Sequence, residues 1–284
     1  MKTQDRKADA LELLMKLAEA HGASGYENSV RRIFRDELGP EVFTDRMGNI
    51  FCEKRGTAEG PRIFLSGHLD EVGLVVQSIT RNGLIKFLPL GSWWSQALPA
   101  QRMRIRTQDG NEVLGVIGAK PPHLLSESDR AKPMKIEDMF IDVGAMDAQD
   151  VRENFGIRPG DGIVPYSPFA RMHNPDYLLC KAFDNRVGIA MTIQVLQLIK
   201  DVSHPNTVWG VGTVQEEFGV RGAQCAAFTV NPDAAIVLEG APADDLPGNP
   251  EDECQGAVGR GVQIRLMDPS AIMNQRFAQY AIAL

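Results

Sequence analysis

The chain has 284 residues, 43% of them hydrophobic and 24% charged, with a formal net charge of −7. That length allows one large domain or two ordinary ones, and the near-average composition excludes disordered, collagen-like and fibrous classes. An acidic balance without a basic block gives no electrostatic footprint for nucleic acid or an anionic membrane surface.

Apolar spacing predicts the elements in chain order. Residues 8–20 read as helix, with Leu11, Leu14, Met15 and Ala18 at helical spacing, and Gly22-Ala23-Ser24-Gly25 breaks it. Residues 29–38 repeat the pattern. Residues 42–44 and 49–53 read as short strands around a Met47-Gly48 turn, and residues 62–66 as a buried parallel strand. From Gly73 to about Ser167 the texture becomes short β runs divided by turns, with one helical stretch at 147–155. Beyond it come a helix at 187–200 and strands at 207–214, 234–238 and 262–266, and Asp268-Pro269-Ser270 reads as the start of a further helix. The expected fold is α/β with a mostly parallel central sheet. Residues 1–72 and 168–284 form that domain, interrupted by a small β-rich, barrel-like insert at 73–167.

The longest apolar stretch, 187–199, is interrupted by Thr192, Gln194 and Gln197 and is too short to span a bilayer. The charged N-terminus lacks the apolar core of an export signal. Cys52, Cys180, Cys225 and Cys254 have no CxxC spacing and read as reduced thiols, which points to a cytoplasmic protein.

In open parallel sheets, ligands bind outside the carboxyl ends of the strands. The residues that follow the predicted strands are therefore the candidates. His68 and Asp70 follow the strand at 62–66, Glu216 and Glu217 follow that at 207–214, and Glu239 follows that at 234–238. Asp184 sits just before the helix at 187–200. Imidazole and carboxylates suit a two-metal hydrolytic site for Zn²⁺, Co²⁺ or Mn²⁺. In an extended segment His68 and Asp70 point the same way, so Asp70 can accept the second ring N–H of His68. Of two adjacent acids, one can bind metal while the other takes a proton. Each motif also has a plainer explanation. A lone His-x-Asp is more often structural, an adjacent Glu-Glu pair is more often solvated, and Asp184 alone suits a helix N-terminus. Glu239, after an apolar strand, needs a partner. There is no HExxH, P-loop or G-x-S-x-G motif, and Trp93-Trp94 reads as core or interface packing ahead of a binding platform. The remaining histidines, His21, His123, His173 and His204, read as structural or exposed.

Three segments carry a family resemblance: residues 67–73 (GHLDEVG), 181–186 (KAFDNR) and 215–223 (QEEFGVRGA). They resemble the signature segments of the tetrahedral (glutamyl or deblocking) aminopeptidases, di-metal exopeptidases often also labelled cellulase or endoglucanase. Residues 118–123 (GAKPPH) and 140–145 (FIDVGA) in the insert are similar to family segments as well. The resemblance covers nearly the whole chain. It implies an α/β metallopeptidase domain carrying an inserted β domain, and two divalent cations, Zn²⁺ or Co²⁺ or else Mn²⁺. His68 and Glu217 would bind one cation and Glu239 the other. Asp184 would bridge both, Asp70 would orient His68, and Glu216 would be the general base. The implied reaction releases N-terminal residues from short peptides by a metal-bound hydroxide. Dimers and tetrahedral dodecamers are implied as assemblies, with no nucleic-acid or membrane partner.

Family members continue past the position of Leu284 with a Gly-rich Thr-Asp-Ala segment, further core strands and a histidine that completes the second metal site. The apolar pattern Ile272, Phe277, Tyr280, Leu284 runs to the last residue without a stop signal, so the sequence reads as C-terminally truncated. The alternative function is accordingly a truncated or degenerate, non-catalytic member that binds peptide or co-assembles with a complete subunit. A glycosidase would need two opposed carboxylates and no obligatory metal.

Overall fold

The structure, a computed structural model, describes residues 3–284. Helices α1 (Thr3–Glu19) and α2 (Asn28–Leu38) are followed by strands β1 (Phe43–Thr44), β2 (Ile50–Lys54) and β3 (Arg62–His68). Strands β4 (Gly73–Ile79), β5 (Ile85–Leu90), β6 (Arg102–Arg106) and β7 (Glu112–Gly118) come next. Helix α3 (Glu127–Arg130), β8 (Phe140–Asp142), α4 (Ala148–Glu153) and β9 (Gly162–Pro165) complete that stretch. The chain continues through a hairpin of β10 (Ala170–Arg171) and β11 (Leu178–Leu179), then α5 (Phe183–Leu198), β12 (Thr207–Thr213), α6 (Arg221–Val230), β13 (Ala234–Val237) and α7 (Gln275–Ile282). Among the described residues no helix is long and apolar enough to cross a membrane.

The fold is α/β, as the element pattern predicts. Its sheet is mixed, with strand order β1-β2-β12-β3-β13. β12 and β13 both run parallel to β3, while β2 runs antiparallel to β12 and β1 antiparallel to β2. The pleat sorts side chains to two faces. Ile50 and Cys52 join the core that α1, α2 and α5 cover, with Leu17, Phe34, Ile189 and Ile193. Phe51, between them, faces the other way and packs with Phe64, Val211 and the α6 residues Ala226 and Val230. β13 is an edge strand that leaves Ile236 and Val237 exposed.

Strands β4-β5-β8-β7-β6-β9 close into a barrel. Along β6, Met103 and Ile105 point inward while Arg102, Arg104 and Arg106 alternate outward, the period-2 pattern of a strand with one dry face. Trp93 is half-buried and its indole N–H donates to the Gly73 carbonyl, while Trp94 is exposed.

The chain divides into two compact units, the second being Gly240–Leu284. Two expectations fail within that second unit. Residues 262–266 form no strand: a strand needs a ladder partner, and only the isolated bridge Met267–Ile272 lies nearby, with Val262 exposed. The helix does not begin at Asp268, whose carboxylate instead accepts from the Ser270 and Ala271 N–H groups in a local turn. α7 starts at Asn274, whose side chain caps the Phe277 N–H.

Candidate metal centre

The parallel register delivers the candidate donors to one rim. Thr213 of β12 pairs with His68, the last residue of β3, and Val237 of β13 pairs with Ser66. The residues that leave these strands therefore emerge side by side: His68 to Asp70, then Glu216 and Glu217, then Glu239. Gln215 turns the chain after β12 through a left-handed backbone (φ +54°), and its N–H donates to the buried Glu27 carboxylate.

The fourth segment is the start of α5. Gly67 and Gly188 let β3 and α5 approach so closely that a Cβ on Gly67 would lie 2.7 Å from the Gly188 carbonyl carbon. Asp184 and Asn185 have non-helical backbone within the first turn. Asn185 is buried, donates to the Leu238 carbonyl at 2.8 Å and accepts from the Gly188 N–H. It thereby ties the Asp184 turn to the residue preceding Glu239.

The result is a compact cluster. His68 Nε2 lies 3.0 Å from Asp184 Oδ1, 3.6 Å from Glu239 Oε1 and 3.8 Å from Glu216 Oε2. One donor atom each from His68, Glu216 and Glu217 lies within 4.8 Å of the others, and the same holds for His68, Asp184 and Glu239. On the far side of the ring, Nδ1 donates to the Asp70 main-chain carbonyl at 3.1 Å and sits 3.4 Å from Asp70 Oδ1. That arrangement turns Nε2 toward the carboxylates, as the nitrogen that would bind a cation once its proton is lost. Asp70 is itself buried, and its oxygens accept from the Glu216 N–H (3.0 Å), the Glu217 N–H (3.1 Å) and the Ser24 hydroxyl (2.6 Å).

The electrostatics are those of crowded like charges. Burial, and then the charge of Asp184, push Glu217 up to about 7. Burial also raises Glu216, with Glu239 and Asp70 adding to it against the pull of His68. For His68, burial works against the charged ring, but hydrogen bonds with Asp184, Asp70 and Glu239 outweigh it and hold the pKa well above the ordinary value. Burial alone would raise Asp70, yet His68, Ser24 and the Glu216 N–H bring it below the usual carboxylate range. One imidazole and four carboxylates form a donor set suited to divalent cations. The residues present fit the group.

All six predicted residues, His68, Asp70, Asp184, Glu216, Glu217 and Glu239, come together at this rim. Residue-by-residue reading missed the buried ions behind it. Glu71 holds Lys181 Nζ at 2.7 Å and Arg186 Nη2 at 3.1 Å, and all three side chains are almost wholly buried. Arg186 also donates to the Leu17 and Gly22 carbonyls, and Lys181 to that of Ala20. Their one sequence signal is position: Glu71 follows Asp70, and Lys181 and Arg186 flank Asp184.

Comparison with known proteins returns the M42 glutamyl aminopeptidase family, whose model matches residues 48–284. The chain is 34% identical over 262 residues to the glutamyl aminopeptidase of Lactococcus lactis subsp. cremoris (strain MG1363), covering 90% of this chain and 72% of that protein. The crystal structure of a TET aminopeptidase from the marine sediment archaeon Thaumarchaeota archaeon SCGC AB-539-E09 matches with a TM-score of 0.90 at 40% identity, covering 98% of this chain and 78% of that one. The TET1 peptidase of Pyrococcus horikoshii, which can assemble into a tetrahedron or a large octahedral shell, matches with a TM-score of 0.82 at 29% identity, covering 96% and 80% respectively.

Proposed function

The chain belongs to the M42 glutamyl aminopeptidase family, and we propose that it removes N-terminal residues from short peptides with Glu216 as general base beside two divalent cations. It is an aminopeptidase, a hydrolase of a metallopeptidase family. The observation that carries the finer proposal is the convergence of His68, Asp184, Glu216, Glu217 and Glu239 from four separate segments onto one rim.

His68 and Glu217 would hold one cation, Glu239 the other, and Asp184, with two carboxylate oxygens, would serve both. Zn²⁺ or Co²⁺ suits a nitrogen-and-oxygen donor set. When bound, the cations supply Lewis acidity, which lowers the pKa of water and polarises the scissile carbonyl. Asp70 keeps the His68 ring in the tautomer that presents Nε2. Glu216, half-buried with its carboxyl pKa raised, takes the proton from the attacking water and returns it to the leaving amine. Asp184 and Glu239 are the more exposed donors, with side chains 56% and 39% accessible.

Likeness to the TET1 peptidase supports a homo-oligomer. Scattered free cysteines support a cytoplasmic location. The β strands of 73–167 support an inserted domain between 1–72 and the residues from 168 onward.

The test is Glu216→Gln. Hydrolysis of an aminoacyl p-nitroanilide should fall by about 10²–10⁴-fold, while mass spectrometry still finds the wild-type complement of bound metal. Wild-type turnover in that variant would remove Glu216 from the role of base.

A further inference from the structure

We propose that Ser24 is a positioning residue for the cation centre: its hydroxyl fixes Asp70, and Asp70 in turn fixes the segments that carry His68, Glu216 and Glu217. The inference rests on the centre proposed above and adds a residue from outside the donor set, in the loop between α1 and α2.

Asp70 has no exposed surface, and each of its oxygens serves two partners. Oδ1 accepts from the Glu216 N–H at 3.0 Å and lies 3.4 Å from His68 Nδ1. Oδ2 accepts from the Glu217 N–H at 3.1 Å and from Ser24 Oγ at 2.6 Å. One carboxylate thus joins the end of β3 to the chain leaving β12. Ser24 is the one partner that comes from neither segment, so it alone references their relative position to a third element.

That third element is itself pinned. Ala23 bridges to Glu71, and the Glu71 N–H donates to the Gly22 carbonyl at 2.9 Å. The Tyr26 N–H donates to the Ala23 carbonyl, closing the turn around Ser24. The Gly25 N–H donates to the Glu27 carboxylate, which also accepts the N–H of Gln215, the residue before Glu216. The loop that holds Ser24 therefore touches the chain on both sides of Asp70's reach. Removing the hydroxyl leaves Oδ2 with a single donor and frees the carboxylate to rotate away from the Glu217 N–H. The hydroxyl is neutral and lies outside the donor set, so it acts on the donors only by way of Asp70.

The experiment compares wild type, Ser24→Ala and Ser24→Thr, each stripped of metal and titrated with Zn²⁺ against a chromogenic chelator, with thermal unfolding of each metal-free protein as the control for folding. Groups that orient metal ligands are worth about 10–100-fold in metal affinity. Ser24→Ala should weaken Zn²⁺ binding by that factor with the metal-free unfolding midpoint kept, and Ser24→Thr, which retains a hydroxyl, should restore most of it. Wild-type affinity in Ser24→Ala, or equal weakening in both variants, overturns the inference alone. Failure of the wild-type protein to bind Zn²⁺ overturns the centre and the inference together.

Discussion

Inside the barrel the buried side chains are almost all hydrocarbon or thioether: Leu74, Val76, Ile85, Met103, Ile105, Ile117, Ile141 and Ile163 among them. From β4 to β9, the buried polar residues among those described are Thr107 and Asp161. At the carboxyl rim of the mixed sheet, Glu27, His68, Asp70, Glu71, Lys181 and Arg186 are all buried within a few residues of one another in space. Apolar area removed from water is enough to hold a fold together, as the barrel does. Buried charge costs free energy unless every partner is in place. A region that accumulates such groups beside a cluster of donors is built for chemistry, with stability supplied from elsewhere.

Substitution on each side sharpens that contrast. Arg186→Met should be the more damaging, because it strands the Leu17 and Gly22 carbonyls and leaves Glu71 with Lys181 alone. Breaking a buried pair in this way costs about 3–5 kcal/mol, read as the shift in urea unfolding. A neutral outcome would show that the rim ions are replaceable packing. Ile105→Ala in the barrel should cost about 2–5 kcal/mol by cavity formation and leave the Zn²⁺ dissociation constant of the protein unchanged. If affinity fell with it, the two regions would be energetically one. The smallest effect is on affinity alone. Zn²⁺ must displace protons from His68, held well above its usual pKa, and from Glu217, near 7. Below those pKa values the protons compete with the cation, so affinity should rise with pH between 6 and 8, by roughly tenfold per unit for each proton displaced. Titration in buffers of different ionisation enthalpy counts those protons, and a flat profile would mean that both groups have already lost them.

Much of this was legible in the sequence, for identifiable reasons. The strand at Arg62–His68 holds a compact apolar run, and polar residues stand within a few positions of its end and of the ends of β12 and β13. Parallel register then does the rest, because it aligns strand ends that are far apart in the chain. The barrel strands announced themselves by short alternating runs between turns. The ion cluster was not legible. Glu71, Lys181 and Arg186 look like surface charges until partners 110 and 115 residues distant arrive. The helical spacing of α5 foretold its body, but its first turn departs from helical backbone at Asp184 and Asn185, where Asn185 bonds to the Leu238 carbonyl across the rim. Residues 262–266 have the alternation of a strand, and alternation describes a face without naming a partner for the backbone.

Arg186 has one more consequence. Helix ends ordinarily unravel, since their last carbonyls lack intrahelical donors. At the close of α1 the guanidinium takes up the Leu17 and Gly22 carbonyls, and the ammonium of Lys181 takes up that of Ala20. Fraying of that final turn therefore requires the ion cluster to come apart with it. Amide hydrogens in the last turn of α1 should exchange with solvent at the slow pace of the rim, and α1 becomes a reporter on the integrity of a centre to which it contributes no donor.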